Sequence, residues 1–335
     1  MAMPILRFNF ASPQGNPQAQ HRLIAAALEL AEWGDTRGVA AVSVDEHHVT
    51  GHGWSANPIM AAAVFLTRTQ NTYLSVDCAL GPLWNPLRLA GDIAFADAMS
   101  GGRLLTTVGL GYPPVEYSAM GQPFAQRGAQ LDRMLERLLA AWSEAPIVEG
   151  ASESRIGSGT WSKPHPPLIV GGGVEATARR AVRFGLGLSL PAHQPKLAQY
   201  YRDLCAAAGI TPNLIMPPPV NHGMIFLHED PERAWNELGE HILWEAVTYG
   251  AWTTETLSMM HIPGAETLEE VKASGRYRFL TPEQLLAEAG DPDYGAMIFH
   301  PLVGGMPFDE AWKSVQLLTD EVIPHLGAAE ASGPG

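Results

Sequence analysis

Short apolar runs that alternate with helix-like segments are the feature that most constrains the fold of this 335-residue chain. Each run is followed by a longer stretch whose apolar residues recur at helical spacing, which is the pattern of a βα unit. Eight such units in a row favour a parallel α/β sheet and are the number that closes a (β/α)8 TIM barrel, with a doubly wound sheet as the alternative. We predict strands over residues 5–10, 39–44, 73–80, 104–108, 168–170, 186–190, 221–228 and 294–299.

The predicted barrel accounts for a single domain over residues 1–326. Between its seventh and eighth strands, residues 231–289 carry helical stretches and are predicted to be an insertion over one barrel face. Long segments at such positions are usually lids or binding loops, so we expect a mobile cap. The alternative is a static subunit interface that contains Trp235, Trp244 and Trp252.

Two other segments lack helical periodicity. Residues 144–167 are rich in Gly, Ser and Pro, which predicts a loop or a second lid near the insertion. Residues 327–335 read GAAEASGPG, and we expect them to form a disordered tail.

The charge balance excludes several classes of partner. Lys and Arg number 21 against 35 Asp and Glu, and this net charge of −14 disfavours binding to nucleic acid or to an anionic membrane surface. No apolar run reaches the ~18 residues of a membrane span, and no secretory signal is visible at the first residues. Two distant cysteines do not make a disulfide scaffold. We therefore expect a cytoplasmic enzyme that acts on a small, largely uncharged organic molecule.

Polar residues that could perform chemistry follow the predicted strands, because a barrel directs the carboxyl ends of its strands toward one site. The second strand runs directly into Asp45-Glu46-His47-His48. Adjacent side chains at a strand end point to opposite sides, so one histidine is expected to serve the site and the other to be structural. A zinc site that includes His52 is disfavoured, since the chain has neither an HExxH motif nor a cysteine cluster.

A glycine-rich turn, Gly171-Gly172-Gly173-Val174-Glu175-Ala176, follows one strand and opens a helix. It matches the G-x-G-x-x-A pattern of dinucleotide-binding folds. That interpretation also requires an acidic residue after the next strand, where the chain has Leu190-Pro191-Ala192-His193, and it therefore fails. Backbone N–H groups at the helix start still predict a phosphate site, with a plain tight turn as the alternative.

Aromatic residues and one cysteine complete the set of candidates. Cys78 lies within an apolar strand, which favours an inert packed thiol over a nucleophile. Trp54, Trp84 and Tyr112 lie in predicted loops after strands. We predict that these rings form a flat substrate-binding wall, with core packing as the alternative.

Six motifs occur in order along the chain. They are Asp45-Glu46-His47-His48, Asn57-Pro58, LGPLWNPLR at 80–88, DAMSGGR at 97–103, Val108-Gly109-Leu110-Gly111, and the segment 301–324 that begins PLVGGM. Together they resemble the bacterial luciferase-like monooxygenase family, strongly over residues 5–125 and again over 166–190 and 294–326. The resemblance implies a (β/α)8 barrel that binds reduced FMN or the deazaflavin F420 at the carboxyl ends of its strands.

The resemblance also implies roles for individual residues. His47 corresponds to the family's active-site histidine, which leaves His48 a mainly structural role. A non-prolyl cis peptide that supports the flavin ring in the family falls at Asp77-Cys78 or a neighbouring bond. The residues that correspond to the family's phosphate loop are Gly172, Gly173 and Val174, with Thr177 as a hydroxyl donor.

One position departs from the family pattern. Bacterial luciferase has an arginine in its strand-four motif that meets the FMN phosphate, and this position is Gly109 here. A phosphate site in this chain therefore relies on backbone donors unless Arg179 and Arg180 of the following helix compensate.

The resemblance implies a flavin-dependent oxidoreductase, a luciferase-like monooxygenase that uses reduced FMN and O2 on a small organic substrate. The protein would hold the ring and orient the substrate, while the cofactor supplies the chemistry. One alternative is hydride transfer with F420, in which His47 or Glu116 handles the proton, and another is a non-catalytic partner subunit. We expect a reductase that supplies the reduced cofactor, and a homodimer.

Overall fold

Strands and helices alternate along the chain in the computed structural model, which describes residues 3–143, 145–148, 154–157, 159–219, 223–254, 258–291 and 294–326. The predicted tail 327–335 and part of the predicted loop 144–167 lie outside the described residues. The strands are β1 (Met3–Phe8), β2 (Ala41–Val44), β3 (Tyr73–Leu80), β4 (Leu104–Gly109), β5 (Leu168–Gly171), β6 (Gly187–Ser189), β7 (Leu214–Ile215), β8 (Met224–Leu227), β9 (Tyr277–Leu280) and β10 (Ala296–Phe299).

Helices follow most of these strands, as expected of βα units. They are α1 (Pro17–Asp35), α2 (Pro58–Arg68), α3 (Pro86–Ser100), α4 (Pro114–Ala119), α5 (Arg127–Trp142), α6 (Glu175–Phe184), α7 (Pro195–Ala208), α8 (Pro231–Gly250), α9 (Leu268–Ser274), α10 (Pro282–Ala289) and α11 (Phe308–Leu317). In the described part of the chain, none of them has the length and apolar content that crossing a bilayer requires.

Asparagine followed by proline starts several of these helices. The side chains of Asn16, Asn57 and Asn85 each accept a hydrogen bond from a backbone N–H in the first helical turn, and a proline occupies the first turn of each helix. This arrangement satisfies N–H groups that a helix start leaves unpaired. The end of α3 is fixed by Gly101, whose left-handed backbone (φ 67°) favours glycine.

The chain divides into two compact units. The first unit comprises Met1–Ser43, Thr50–Trp54 and Pro217–Gly335. Its strands β1, β10, β8 and β9 pair in that order and are all parallel. The carboxyl ends of these strands therefore share one edge within this unit.

Strand β9 of the first unit lies inside the segment predicted to be an insertion, 231–289. It pairs with β8 from Met224 opposite Tyr277 to Leu227 opposite Leu280. The Phe279 ring packs edge-on against the Trp235 ring, with ring centres 5.0 Å apart. The segment thus contributes β9 and residues of two helices, α8 and α9, to a hydrophobic core, in addition to any role as a cap. Burial of Trp235 in this core is at odds with the predicted alternative of a subunit interface for that residue.

The second unit comprises Val44–Val49 and Ser55–Met216. Its strands β3, β4, β5, β6 and β7 pair in that order and are again all parallel. The register of β3 against β4 shifts between Asp77 and Ala79, where the Asp77–Cys78 peptide bond is cis. The ends of β3, β4 and β5 meet beside this bond, and they position the candidate site.

Candidate active site

His47 of the second unit is held at both ring nitrogens. It follows β2 by three residues, its Nδ1 lies 3.1 Å from Glu116 Oε1, and its Nε2 lies 3.1 Å from the Tyr112 hydroxyl. An ionised carboxylate accepts the Nδ1–H of the imidazole, which leaves Nε2 to accept from the tyrosine O–H. The ring is nearly buried and fixed in orientation, and it can take up or release a proton at Nε2.

Glu116 lies on α4 and is completely buried. Its Oε1 accepts a second hydrogen bond, 2.7 Å long, from the backbone N–H of His48. Its Oε2 has no hydrogen-bond partner among the described residues. A buried carboxylate oxygen left without a donor is costly, so a bound water or ligand is expected to supply a donor to this atom.

Glu46 joins the ends of β2 and β3 through a second buried network. Its carboxylate accepts from Leu80 N–H at 2.7 Å and from the Trp84 indole N–H at 3.0 Å to each oxygen. His48 Nε2 lies 2.6 Å from Glu46 Oε1. Burial disfavours the charged imidazole, but the hydrogen bond and negative charge of Glu46 raise the pKa of His48 above its ordinary value. This geometry supports the structural role predicted for His48.

The cis peptide implied by the family resemblance is present at Asp77–Cys78. The Asp77 carboxylate accepts from the Thr107 hydroxyl at 3.0 Å and from the Ser75 hydroxyl at 2.7 Å. Removal from water and nearby carboxylate charges raise the pKa of the Cys78 thiol far above neutrality. The thiol therefore stays protonated, which agrees with the prediction that it is inert.

Gly109 ends β4 directly against the Cys78 side chain. A Cβ at Gly109 would lie 2.7 Å from Cys78 Sγ and 3.6 Å from the Gly171 carbonyl oxygen. No side chain fits there unless the thiol moves, and this accounts physically for the missing arginine. The Cys78 side chain thus fills the space beside Gly109, where β3, β4 and β5 end.

The glycine turn after β5 requires glycine at one position and corrects one part of the phosphate-loop prediction. A Cβ at Gly172 would lie 2.7 Å from Thr177 Oγ1, and its backbone φ is +149°, so the position requires glycine. However, the Gly172 N–H donates to the Ser189 carbonyl at 3.0 Å. The prediction that Gly172 offers its N–H to a phosphate is therefore wrong, because the β5–β6 pairing extends through this residue.

The remaining donors of the turn are at the start of α6. Val174 is its N-cap, and no side chain in the described structure caps these N–H groups. Free N–H groups and the helix dipole make such a start suitable for an anion, here through Gly173 and Val174. The buried Thr177 side chain lies in the first turn of the same helix.

Charged side chains of α6 are engaged elsewhere. Glu175 is exposed and pairs with Arg179 at 3.0 Å, so it points away from the turn as expected. Arg179 also donates to the Tyr200 hydroxyl at 2.9 Å, and Arg180 pairs with Asp132 at 2.6 Å. Backbone groups are thus the anion donors that this turn offers.

The three predicted substrate-binding rings have different surroundings. Trp84 donates to Glu46 and Tyr112 contacts His47, both within the second unit. Trp54 belongs to the first unit, where it is buried and stacks on Tyr249 with ring centres 5.7 Å apart. The structure favours core packing for Trp54, and substrate contact by these rings stays a prediction.

Comparison with known proteins gives this arrangement a context. The family model described as luciferase-like monooxygenase matches residues 3–296. The chain belongs to the luciferase-like monooxygenase family. This confirms the resemblance seen in the sequence and supports an oxidoreductase.

Solved structures of luciferase-like proteins share the fold over nearly the whole chain. A monooxygenase from Streptomyces bottropensis is 26% identical, with a TM-score of 0.77 over 97% of this chain and 99% of that one. The oxygenating constituent of 3,6-diketocamphane monooxygenase from Pseudomonas putida, solved with FMN, is 17% identical, with a TM-score of 0.73 over 97% and 98%. An F420-dependent secondary alcohol dehydrogenase is 16% identical, with a TM-score of 0.67 over 97% and 99%. These matches confirm the predicted fold class.

Curated relatives match shorter stretches. The oxygenase component of a flavin-dependent trigonelline monooxygenase from Acinetobacter baylyi is 29% identical over 37% of this chain and 35% of its own length. An uncharacterised protein from Sinorhizobium fredii is 26% identical over 57% of this chain and 56% of its own length. The chain thus spans about half or less of the length of these relatives.

One feature of the site was missed by sequence reasoning. Glu46 was part of a recognised motif, but nothing in the sequence showed that its carboxylate collects donors from Leu80, Trp84 and His48. The described residues contain no group of three or more His, Cys, Asp or Glu side chains arranged to hold a metal ion.

Proposed function

We propose that this chain is the oxygenase of a flavin-dependent monooxygenase that uses reduced FMN and O2 on a small, largely uncharged organic molecule. The observation that carries the proposal is the buried His47–Glu116 pair, whose Glu116 Oε2 has no partner among the described residues. The solved FMN complex with the same fold and the 26% identical monooxygenase support it.

The residues of the second unit fit a flavin. Bound FMN would supply a reduced ring that reacts with O2. A flat ring would lie against the strand ends beside Asp77–Cys78, where Gly109 and Gly171 have no side chains, and the N–H groups of Gly173 and Val174 would bind its phosphate. His47 would hold or transfer a proton near the ring, with Tyr112 and Glu116 fixing its orientation.

Hydride transfer with F420 is the second candidate function. The same buried pair favours it, because a hydride transfer to or from an alcohol needs a partner for one proton. In that case His47 or Glu116 would exchange this proton with the substrate oxygen. The fold shared with an F420-dependent alcohol dehydrogenase is compatible with this reaction.

Anaerobic titration of the purified protein separates these functions. We expect photoreduced FMN to bind, and O2 to be consumed when a substrate is added. Binding of reduced F420 but not of reduced FMN would establish the second function instead. Uptake of neither cofactor would favour a non-catalytic partner subunit.

A separate reductase is the partner that this function requires. The Acinetobacter relative is named as an oxygenase component, which implies that another component reduces its flavin. We expect the same division of labour here, in the cytoplasm. A purified flavin reductase added to the protein should restore turnover with NADH or NADPH as the electron source.

We also propose that the chain forms a homodimer through the outer faces of α2 and α3. Met60 and Phe95 are 64% and 72% exposed, and Val64, Leu87 and Met99 add further exposed apolar side chains on these helices. Apolar side chains grouped in this way are typical of an association surface. Light scattering should report a dimer for the native protein and a monomer for Phe95→Glu.

A further inference from the structure

A buried polar cluster in the first unit takes no part in the function proposed above. His300 follows β10, and its Nδ1 lies 3.1 Å from Glu245 Oε1 and 3.2 Å from Arg7 Nη1. Arg7 Nη1 also contacts Glu245 Oε1 at 3.3 Å, and Asn9 donates to Glu245 Oε2 at 3.1 Å. Arg7 and Asn9 lie in and just after β1, the neighbour of β10.

His300 is 1% exposed, and its second ring nitrogen, Nε2, has no partner among the described residues. The Tyr277 hydroxyl, also buried, is likewise without a described partner. Buried polar atoms are nearly always hydrogen-bonded, because each one left unpaired loses its interactions with water. An unpaired imidazole nitrogen after a strand end is therefore an atom to which a ligand can bind.

The charged groups of the cluster hold Nδ1 of His300 and leave Nε2 as the ring nitrogen that a ligand can reach. Burial alone would raise the pKa of Glu245, but the His300 ring, the Arg7 charge and the Asn9 amide together lower it to about 2. Glu245 is thus ionised and accepts the Nδ1–H of His300, while Arg7 balances its charge. A hydroxyl group can both donate and accept, so it can pair with the second ring nitrogen, Nε2, in either role.

Flat aromatic side chains lie on the next turn of the helix that carries Glu245. Tyr249 is four residues further along α8 and so shares its face. The Tyr249 ring stacks on Trp54 at 5.7 Å, and Trp252 packs against Trp54 at 5.1 Å. Trp54 itself is buried, but Tyr249 and Trp252 are half-buried, and the exposed parts of their rings can stack on a planar ring.

We propose that His300 is a ligand-binding residue whose Nε2 hydrogen-bonds the hydroxyl group of a planar, aromatic or heteroaromatic molecule. Glu245 is then a positioning residue that fixes the His300 tautomer. The carboxyl ends of parallel strands, where His300 and Asn9 lie, are the usual place for ligands in α/β proteins.

The test uses two pairs of probes that differ in one hydroxyl group, without any flavin. Phenol is compared with toluene, and 3-hydroxypyridine with 3-methylpyridine, on protein labelled with ¹⁵N-histidine. We expect the hydroxyl probes to shift the Nε2 resonance of His300, assigned by its loss in His300→Asn, and the methyl probes to leave it unchanged. By calorimetry the hydroxyl probes should bind about 3- to 10-fold more tightly than their methyl counterparts.

Variants distinguish a ligand contact from a structural role. The hydroxyl preference should vanish in His300→Phe and persist in His21→Asn, since His21 is an exposed histidine of α1. Glu245→Gln should weaken the preference for the hydroxyl probes. It should also change the ¹⁵N chemical shifts of His300 Nδ1 and Nε2 to those of a different tautomer. Thermal unfolding of each variant shows whether it is folded, and His300→Asn replaces His300→Phe if the latter is not.

An Nε2 resonance unmoved by both hydroxyl probes, or an equal preference in native protein and His300→Asn, would overturn the proposal and leave a buried water as the partner of this nitrogen. Binding of reduced FMN is measured separately. A protein that fails to bind FMN but shows the His300 response contradicts the proposed function alone. The reverse pattern contradicts the His300 assignment alone.

Discussion

Glu116 and His47 are 69 positions apart in the chain, yet Glu116 Oε1 lies 3.1 Å from His47 Nδ1 in a fully buried pair. The same oxygen also accepts the N–H of His48, so the loop after β2 is attached to α4 at two points. The pair therefore fixes both the imidazole and the backbone that carries it. Proton transfer at Nε2 can follow without reorientation of the ring.

Replacement of His47 tests this pair directly. His47→Asn should lower turnover with reduced cofactor by ~10²-fold or more, the usual loss when a general acid or base is removed. Glu116→Gln should also lower turnover and shift its pH profile, because the imidazole loses the carboxylate that orients it. The measurement is the initial rate of O2 consumption against pH for each variant.

His48→Asn is the matched control for His47→Asn. It removes the hydrogen bond to Glu46 but leaves the His47 contacts with Glu116 and Tyr112 in place. We expect it to keep most of the activity. An inactive but folded His48→Asn beside a fully active His47→Asn would reverse the two assignments.

Stability should depend on the protonation of His48. Its pKa in the folded protein lies above the value of 6.5 for a free histidine. The protonated ring therefore stabilises the fold fully below about pH 6.5, and this contribution is lost as the pH rises through the raised pKa. Urea unfolding should show a larger difference in unfolding free energy between native protein and His48→Asn at pH 6 than at pH 9. A difference that is equal at both pH values, or larger at pH 9, would contradict this sign.

Most strands could be predicted from the sequence because their apolar runs are long and clearly bounded. Residues 73–80 were predicted as a strand and form β3 with the same limits. Strand β7 was missed because it has only two residues, and β9 was missed because it lies within the segment that was interpreted as a helical insertion. The Tyr277–Leu280 run of β9 also contains a charged residue, Arg278. This arginine pairs with Glu288 on α10, and the pairing cannot be recognised from the local sequence.

The site could be predicted only where a motif fixes it. The resemblance placed the cis peptide at Asp77–Cys78 or a neighbouring bond and the active-site histidine at position 47, and the structure contains the cis peptide at Asp77–Cys78. The N–H of Gly172 was assigned to a phosphate, but it donates to Ser189 in a different strand. Contacts between distant segments, such as this one and the His300–Glu245 pair, leave no local pattern in the sequence.

The turn before α6 can be tested by adding a negative charge. Gly173→Asp should weaken binding of the cofactor phosphate severely, since a carboxylate would face the anion beside the N–H groups that bind it. Glu175→Gln is the control, because Glu175 is exposed and paired with Arg179. Affinity is measured by anaerobic fluorescence titration, and thermal unfolding confirms that both variants are folded. Equal affinity of Gly173→Asp and native protein would exclude this turn from the phosphate site.

The contact between Gly109 and Cys78 can be tested with a double-mutant cycle. Gly109→Ala places a Cβ 2.7 Å from Cys78 Sγ, and such overpacking costs about 1–3 kcal/mol of unfolding free energy. Cys78→Ala removes the sulfur, after which the nearest atoms, Cys78 Cβ and the Gly171 carbonyl oxygen, lie at an ordinary 3.6 Å. Gly109→Ala should therefore lower the unfolding free energy much less in the Cys78→Ala background. Cys78→Ala alone should keep activity, because the thiol is not a nucleophile. Urea unfolding of the four proteins measures the coupling, and an equal cost of Gly109→Ala in both backgrounds would show that the sulfur is not what keeps this position free of a side chain.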